Sequence, residues 1–450
     1  MGYLRTCLFM GLVASGLMMS CAKHSDVEKL GELPANIVNV VRSQTINGCR
    51  IGLVIRTISD HRVTVDGQPG PAYDGILEGS LVFSADGKRV AYAAQKGAKW
   101  LVVVDGQPGP AEYNGIGSPL FSADSKRVAY AAKKGTKWLV VIDGQPGPAE
   151  YDGIGSPVFS ADGKRVAYTA QKGAKRLVVV VDGQPGQEYD GVGSPVFSAD
   201  GKRVAYAAKK GAKRLVVIDG QPGPAEYDGV GSPVFSADGK RVAYAAKKGA
   251  KWLVVVDGQP GPEYDGVGSP VFSADGKRVA YVVQKGAKRL VMVDGQPGPE
   301  YDGVGSPVFS ADGKRVAYAA KKGAKWMVVV DGQLGPEYDG VGSPVFSADG
   351  KRVAYVVQKG AKRLAVVDGQ PGPEYDDIKV SLFPVEWSPI FSADGKRVAY
   401  AAKKGAKWLV VIDGQPGPEY DDISCGPVFR KDSLLEYLPV KGNFLYRVTK

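Results

Sequence analysis

Histidine is almost absent from this chain. Its 450 residues include two, His24 and His61. Cysteine is nearly as scarce: Cys7, Cys21, Cys49 and Cys425. That supply rules out a clustered His–Cys metal centre. There is no G-x-S-x-G elbow to present a nucleophile. The acidic spacing of a calcium loop is also missing, so the many Asp–Gly pairs read as turns. No metal or cofactor is expected. Long helix-period stretches are missing too, and the apolar run Leu8–Met19 is too short to span a bilayer.

What the chain has in quantity is turn and strand chemistry. It holds 61 glycines and 30 prolines, yet 44% of its residues are hydrophobic, so it is not a disordered chain. Valine, alanine and tyrosine abound, which reads as many short strands between turns. At 450 residues it exceeds one ordinary hydrophobic core and must be several domains or a repeat array.

The array is explicit. The phrase FSADGKRVAY begins at Phe83, Phe159, Phe197, Phe235, Phe272, Phe309, Phe346 and Phe391, and at Phe121 with Ser125 for glycine. The spacing is 37 or 38 residues, with one step of 45 before Phe391. A second marker, DGQ, recurs with the same period from Asp66 to Asp413. Asn47–Gly67 aligns on the unit from Asp86, and Phe429–Val448 is a degenerate last copy, giving eleven units. Worn outer units are expected where an array caps or closes.

One unit parses into four strands. SPVFSA is extended, and ADGK is a tight turn. KRVAYAA alternates, and KKGAK is a polar turn around a glycine. WLVVVDG is a continuous apolar run, as in a strand covered on both faces. QPGP breaks the chain, and EYDGVG is the last strand. A sheet this small cannot bury its own faces and must stack on copies of itself, which is the pattern of an all-β propeller blade. The stretch SPVFSADGKRVAY…LVVVDG is similar to the TolB-type, WD40-like β-propeller repeats of bacterial envelope proteins. The resemblance implies four-stranded antiparallel blades over residues 35–450. A single large ring is favoured over two rings or an open array. The last unit stops after its third strand, and Ala35–Val41 (ANIVNVV) is expected to supply the fourth and seal the ring.

The N-terminus, MGYLRTCLFMGLVASGLMMSC, pairs a positive Arg5 with a short apolar run and small residues. It resembles a bacterial signal peptide, and LMMSC resembles the lipobox of bacterial lipoproteins. The resemblance implies removal of residues 1–20, lipidation of Cys21 and a polar tether over residues 21–34. With Ala22 after the cysteine, it implies an outer membrane facing the periplasm in a two-membrane cell.

In a blade, ADGKR and DGQPGP share one rim, while KKGAK and the DGVGS link share the other. That assignment puts Cys49 and Cys425 on opposite rims, too far apart for a disulfide. The formal net charge of +11 spreads as about one positive charge per unit. Its concentration is greatest at the KKGAK rim, the candidate binding surface. That rim comprises Lys96, Lys99 and Trp100; Lys133, Lys134, Lys137 and Trp138; Lys209, Lys210 and Lys213; and Lys247, Lys248, Lys251 and Trp252. It continues with Lys321, Lys322, Lys325 and Trp326, and with Lys403, Lys404, Lys407 and Trp408. The position after the third lysine alternates between tryptophan and arginine. Lysines beside aromatics bind phosphates or stack on rings. They also keep turns soluble and blunt strand edges, while the tryptophans pack on the next blade.

These features point to a non-enzymatic, membrane-anchored envelope protein whose array is a scaffold for a protein partner. One alternative is a polyanion binder holding lipopolysaccharide or another anionic wall polysaccharide on its lysine rim. A second is a glycan-active enzyme with a site in the central channel. No nucleic acid is expected as a partner of an exported protein.

Overall fold

The computed structural model describes residues 26–450, apart from 33–35, 46–47, 58–59, 149, 174–175, 225 and 380–388. The signal segment and Cys21 lie outside the described residues, as does most of the insertion Asp377–Pro389. The described residues form eleven small antiparallel sheets and no helix. Consecutive sheets pack side by side, and the last packs on the first, giving one eleven-bladed propeller.

The sixth blade shows the construction. Gly229–Val230 and Val234–Phe235 form a broken inner strand, both parts pairing with the second strand, Val242–Lys248. Lys251–Val256 is the third strand and Gln259–Pro260 begins the outer one. Tyr264 bonds back to Trp252 and extends that outer edge. The QPGP stretch is therefore part of the outer strand, not a break before it. Proline is tolerated there because an outermost strand pairs on one side only. The DGV that follows already belongs to the next blade.

Sheet-to-sheet packing accounts for the phrase's apolar residues. Tyr244, Ala246, Leu253 and Val255 face blade five and meet Val216 and Tyr227. On the other face Val254 meets Tyr281, Val283 and Leu290 of blade seven. Leu253, Val254 and Val255 are all buried, as a strand covered on both sides must be. Tyr227 and Tyr244 meet edge to face at 6.4 Å, and seven equivalent pairs repeat along the described ring.

The arginine of the phrase is a clamp between blades. Arg203 Nε donates to Asp219 Oδ2 at 2.9 Å. Its Nη1 donates to the carbonyls of Gly239 and Lys240 in the next blade's turn. Its guanidinium lies 5.4 Å from the ring centroid of Phe235, also in the next blade. The same set recurs from Arg50 to Arg352. Glycine in the ADGK turn is favoured on two counts, although Ser125 and Ser433 adopt the same left-handed φ in two blades. Gly239 has φ +70°, and a Cβ there would come within 3.0 Å of Asp200 Oδ1 of the preceding blade.

Closure uses an N-terminal strand, but not the expected one. Asp26–Glu32 pairs antiparallel with Phe444–Thr449 and becomes the outer strand of blade eleven. Ile37–Thr45, which contains most of the ANIVNVV segment, is instead the inner strand of blade one. The order repeats the rule of every other blade, in which an outer strand leads directly to the next inner strand. The polar stretch read as a tether carries this strand because an outer strand needs backbone pairing, not an apolar face; its side chains are mostly exposed.

The cysteines depart from expectation too. Cys49 and Cys425 share one buried cluster at the seam between blades one and eleven. The opposite-rim argument fails because Cys425 lies within the long inner strand Asp422–Phe429, opposite Leu438, and not in a rim link.

Candidate functional site

The KKGAK rim is built from hairpin turns. In blade six the turn joins Lys248 to Lys251 around Gly249, whose φ is +61°. Asp228, in the link from blade five, ties the turn down: its Oδ2 accepts from Gly249 N–H at 2.7 Å. Its Oδ1 accepts from Lys213 Nζ of blade five at 2.6 Å. One carboxylate thus joins two blades. The unit repeats as Lys251–Asp265–Gly286, Lys288–Asp302–Gly323 and Lys325–Asp339–Gly360. It continues at Lys362–Asp376, and Lys137–Asp152 and Lys407–Asp421 match it. Hydrogen bonds from the lysine, then from the turn N–H, hold these carboxyls below the ordinary value. The same pairing raises Lys325. In blade two Asn114 keeps the bond to the Gly135 turn but carries no charge for Lys99.

The second lysine of the turn also meets a carboxylate. Lys134 pairs with Glu112 at 3.3 Å, Lys248 with Glu263 at 3.7 Å and Lys359 with Glu374 at 2.9 Å. These exposed pairs orient the side chains and contribute little stability.

The first lysine and the tryptophan answer each other across the hairpin. Lys247 is opposite Trp252, Lys321 opposite Trp326 and Lys403 opposite Trp408. Each ammonium lies 5.8 or 5.9 Å from the indole. In two blades whose third strand has arginine, glutamine stands opposite: Gln284 with Arg289, and Gln358 with Arg363. Either combination places one cation and one flat group at the same spot. Lys209 with Arg214 carries two cations, and Gln95 with Trp100 carries none. From blade six to blade ten the alternation seen along the sequence is therefore a cross-strand exchange that keeps one cation per pair. The tips of Trp138, Trp252 and Trp326 lie over inner-strand glycines of their own blades, near Gly115, Gly229 and Gly303. Trp100 and Trp408 also help cover the interface with the following blade.

The described lysines of this rim thus lie in or beside successive hairpin turns, and many are engaged by carboxylates. Other exposed cations stand on the opposite rim. Lys164, Lys314 and Lys351, in ADGK turns, keep 81–83% of their side-chain surface while pairing loosely, at 3.7–4.0 Å, with the aspartate of their own turn. Sequence reasoning passed over them. The available signal was that most KKGAK turns have a Glu-Tyr-Asp link in register, whereas the ADGK aspartate is taken by its own turn. In blade six Ser236 Oγ–H and Lys240 N–H both donate to Asp238. Among the described residues no group of His, Cys, Asp and Glu is arranged to hold a metal ion.

No protein-family model and no curated protein matches this chain. Solved structures do resemble it in part. TolB from Acinetobacter baumannii aligns with 72% of this chain and 76% of its own at 15% identity and a TM-score of 0.26. The β-propeller domain of the Trilobed protease from Pyrococcus furiosus aligns with 60% of this chain and 96% of its own, at 13% identity and a TM-score of 0.29. The Dos1 propeller aligns with 66% of this chain and 92% of its own, at 12% identity and a TM-score of 0.33. The strand order of the chain itself defines the eleven-bladed propeller.

Proposed function

We propose that the protein is a non-enzymatic, lipid-anchored envelope scaffold that binds a protein partner through its KKGAK rim. The observation that carries this reading is the repeated Lys–Trp or Gln–Arg pair at one position of successive hairpins. Tryptophan and arginine are the side chains that most often anchor protein interfaces. Here the cross-strand partner and the lysine–aspartate bridges hold them in place before any partner arrives, which lowers the ordering cost of binding. Repetition around the ring lets one partner engage several blades, or several partners engage one ring.

The course of the first strand supports this orientation. Asp26 pairs with Thr449, at the end of the third strand that leads to the ADGKR and DGQPGP rim. A lipid on Cys21 would be joined to that rim by four residues, a reach of about 14 Å at most. It would hold that rim toward the membrane and leave the KKGAK rim facing away. The test is a pull-down from envelope extract with the anchored protein, beside a variant with Trp252, Trp326 and Trp408 changed to alanine. A partner retained by the parent and lost by the variant supports the reading. Equal retention refutes it.

A second reading rests on the net positive charge of the same rim. It predicts binding of an anionic envelope polysaccharide whose affinity falls steeply as salt rises. A flat salt response eliminates it.

A further inference from the structure

We propose that Cys49 and Cys425 form a disulfide that locks the seam where the ring closes. The two residues stand 376 positions apart in the chain, yet both are at most 2% exposed and lie in one cluster with Ile51, Leu438 and Leu445. Within that cluster Cys425 is close enough to the Cys49 thiol to raise its pKa. The Cys49 thiol also lies 3.9 Å from the carbonyl of Glu436, two residues from Leu438, which is the strand partner of Cys425.

Both residues are departures from the repeat. Cys49 occupies the position at which the phrase has an exposed lysine, such as Lys88. Cys425 sits in an inner strand that runs unbroken from Asp422 to Phe429, where blades two to ten have a broken one. The blade-to-blade arginine clamp is replaced at this seam. Glu436 Oε1 instead accepts from Cys49 N–H at 2.7 Å, with Arg430 and Arg447 around the carboxylate. A groove of about 430 Å³, lined by Cys49, Arg50, Glu436 and Arg447, reaches the seam from solvent.

The oxidant is a small disulfide. The Cys49 thiolate attacks one of its sulfurs and releases one thiol, leaving a mixed disulfide. The Cys425 sulfur then displaces the second thiol as the Cys49–Cys425 bond forms. Two electrons and two protons pass to the oxidant, which ends as two thiols. Burial raises the Cys49 pKa, an effect to which its neighbour Cys425 adds. Exchange is therefore slow in the closed ring and fast when the seam opens.

The test starts from the full chain, reduced, opened in mild urea with oxidised glutathione, and returned to buffer. Unreduced digestion and mass spectrometry should yield a linked peptide pair containing Cys49 and Cys425, lighter by two hydrogens. The oxidised protein should show an unfolding equilibrium constant at least about a hundredfold smaller, because the bridge closes nearly the whole chain into one loop. Dithiothreitol should reverse the change. Cys49→Ser and Cys425→Ser should each abolish both the link and the redox-dependent part of the stability. Linkage of either cysteine to Cys7 or Cys21 instead, or persistence of both thiols, would overturn the proposal. So would a link that leaves the urea midpoint unchanged. Should either serine variant fail to fold, reversal by dithiothreitol in the parent protein still decides the question.

Discussion

Replacing Glu436 by glutamine separates the seam from the other blade junctions. Glu436 is 3% exposed and stands at a second-strand position that alanine fills in the regular blades, such as Ala243. Its carboxylate takes the Cys49 N–H at 2.7 Å, Arg430 at 3.1 Å and Arg447 at 3.5 Å. Removing one partner from a fully buried ion pair costs about 3–5 kcal/mol. Here the two guanidiniums keep 33% and 25% of their surface, so water takes up part of their charge. The cost is reduced to about 2–3 kcal/mol. Asp219→Asn is the matched control: Asp219 is 43% exposed and its Arg203 partner 34%. Asparagine tolerates the left-handed φ of +51° there and still accepts the Val204 N–H. Its cost should stay under about 1 kcal/mol.

Alkylation of the reduced seam cysteines reads local opening directly, since both thiols are buried in the closed ring. Glu436→Gln should accelerate their modification about 30- to 150-fold, the rate equivalent of the stated cost. Asp219→Asn should leave that rate within about threefold. Equal acceleration by the two variants would show that the ring opens anywhere with similar ease, and the special role given to the Glu436 cluster would be wrong.

Deleting residues 26–32 removes the outer strand of blade eleven, with its Glu28–Arg447 pair and the Lys29 contact to Phe444. The thermal midpoint should fall, and light scattering should report association through the exposed strand edge; a monomer of unchanged midpoint would contradict the closure. Arg203→Lys should destabilise by about 1–2 kcal/mol in urea titration, because a single ammonium cannot serve Asp219, two carbonyls and Phe235 together. Lys202→Ala, an exposed turn position beside it, should stay within about 0.5 kcal/mol. Stability against pH should form a plateau. The rim aspartates are depressed by their lysine and turn N–H bonds, so their contribution is full above the ordinary value of 3.8 and lost as pH falls through the lowered values. Tyrosines such as Tyr206 and Tyr244 are pushed up to about 12 by burial, so their contribution is full below 10 and lost as pH rises toward 12. Urea midpoints measured across that range should fall at both ends, and a midpoint still rising below pH 3.8 would refute the acid limb.

Much of this architecture is legible in the residues themselves. The period of 37 or 38 residues, the apolar third strand and the two glycine turns define a blade, because they are local properties and recur in most units. The rim assignment of KKGAK follows from strand alternation alone. Partners distant in sequence do not follow. Asp228 links a lysine fifteen residues before it to a turn glycine twenty-one residues after it, and nothing local distinguishes it from a simple turn aspartate. Asp26–Glu32 looked like a tether because an outer edge strand needs no apolar face, only a backbone to pair with. Cys49 and Cys425 looked remote because rim geometry was inferred from regular blades, and the seam is the irregular one. The sequence by itself determined the unit, its four strands and the need to stack, since each depends on hydrophobic pattern and turn chemistry within some forty residues. Only the tertiary structure decided the closing strand, the buried Glu436 cluster and the cysteine contact. All three arise where the first and last blades meet, and that meeting exists only once the ring is complete.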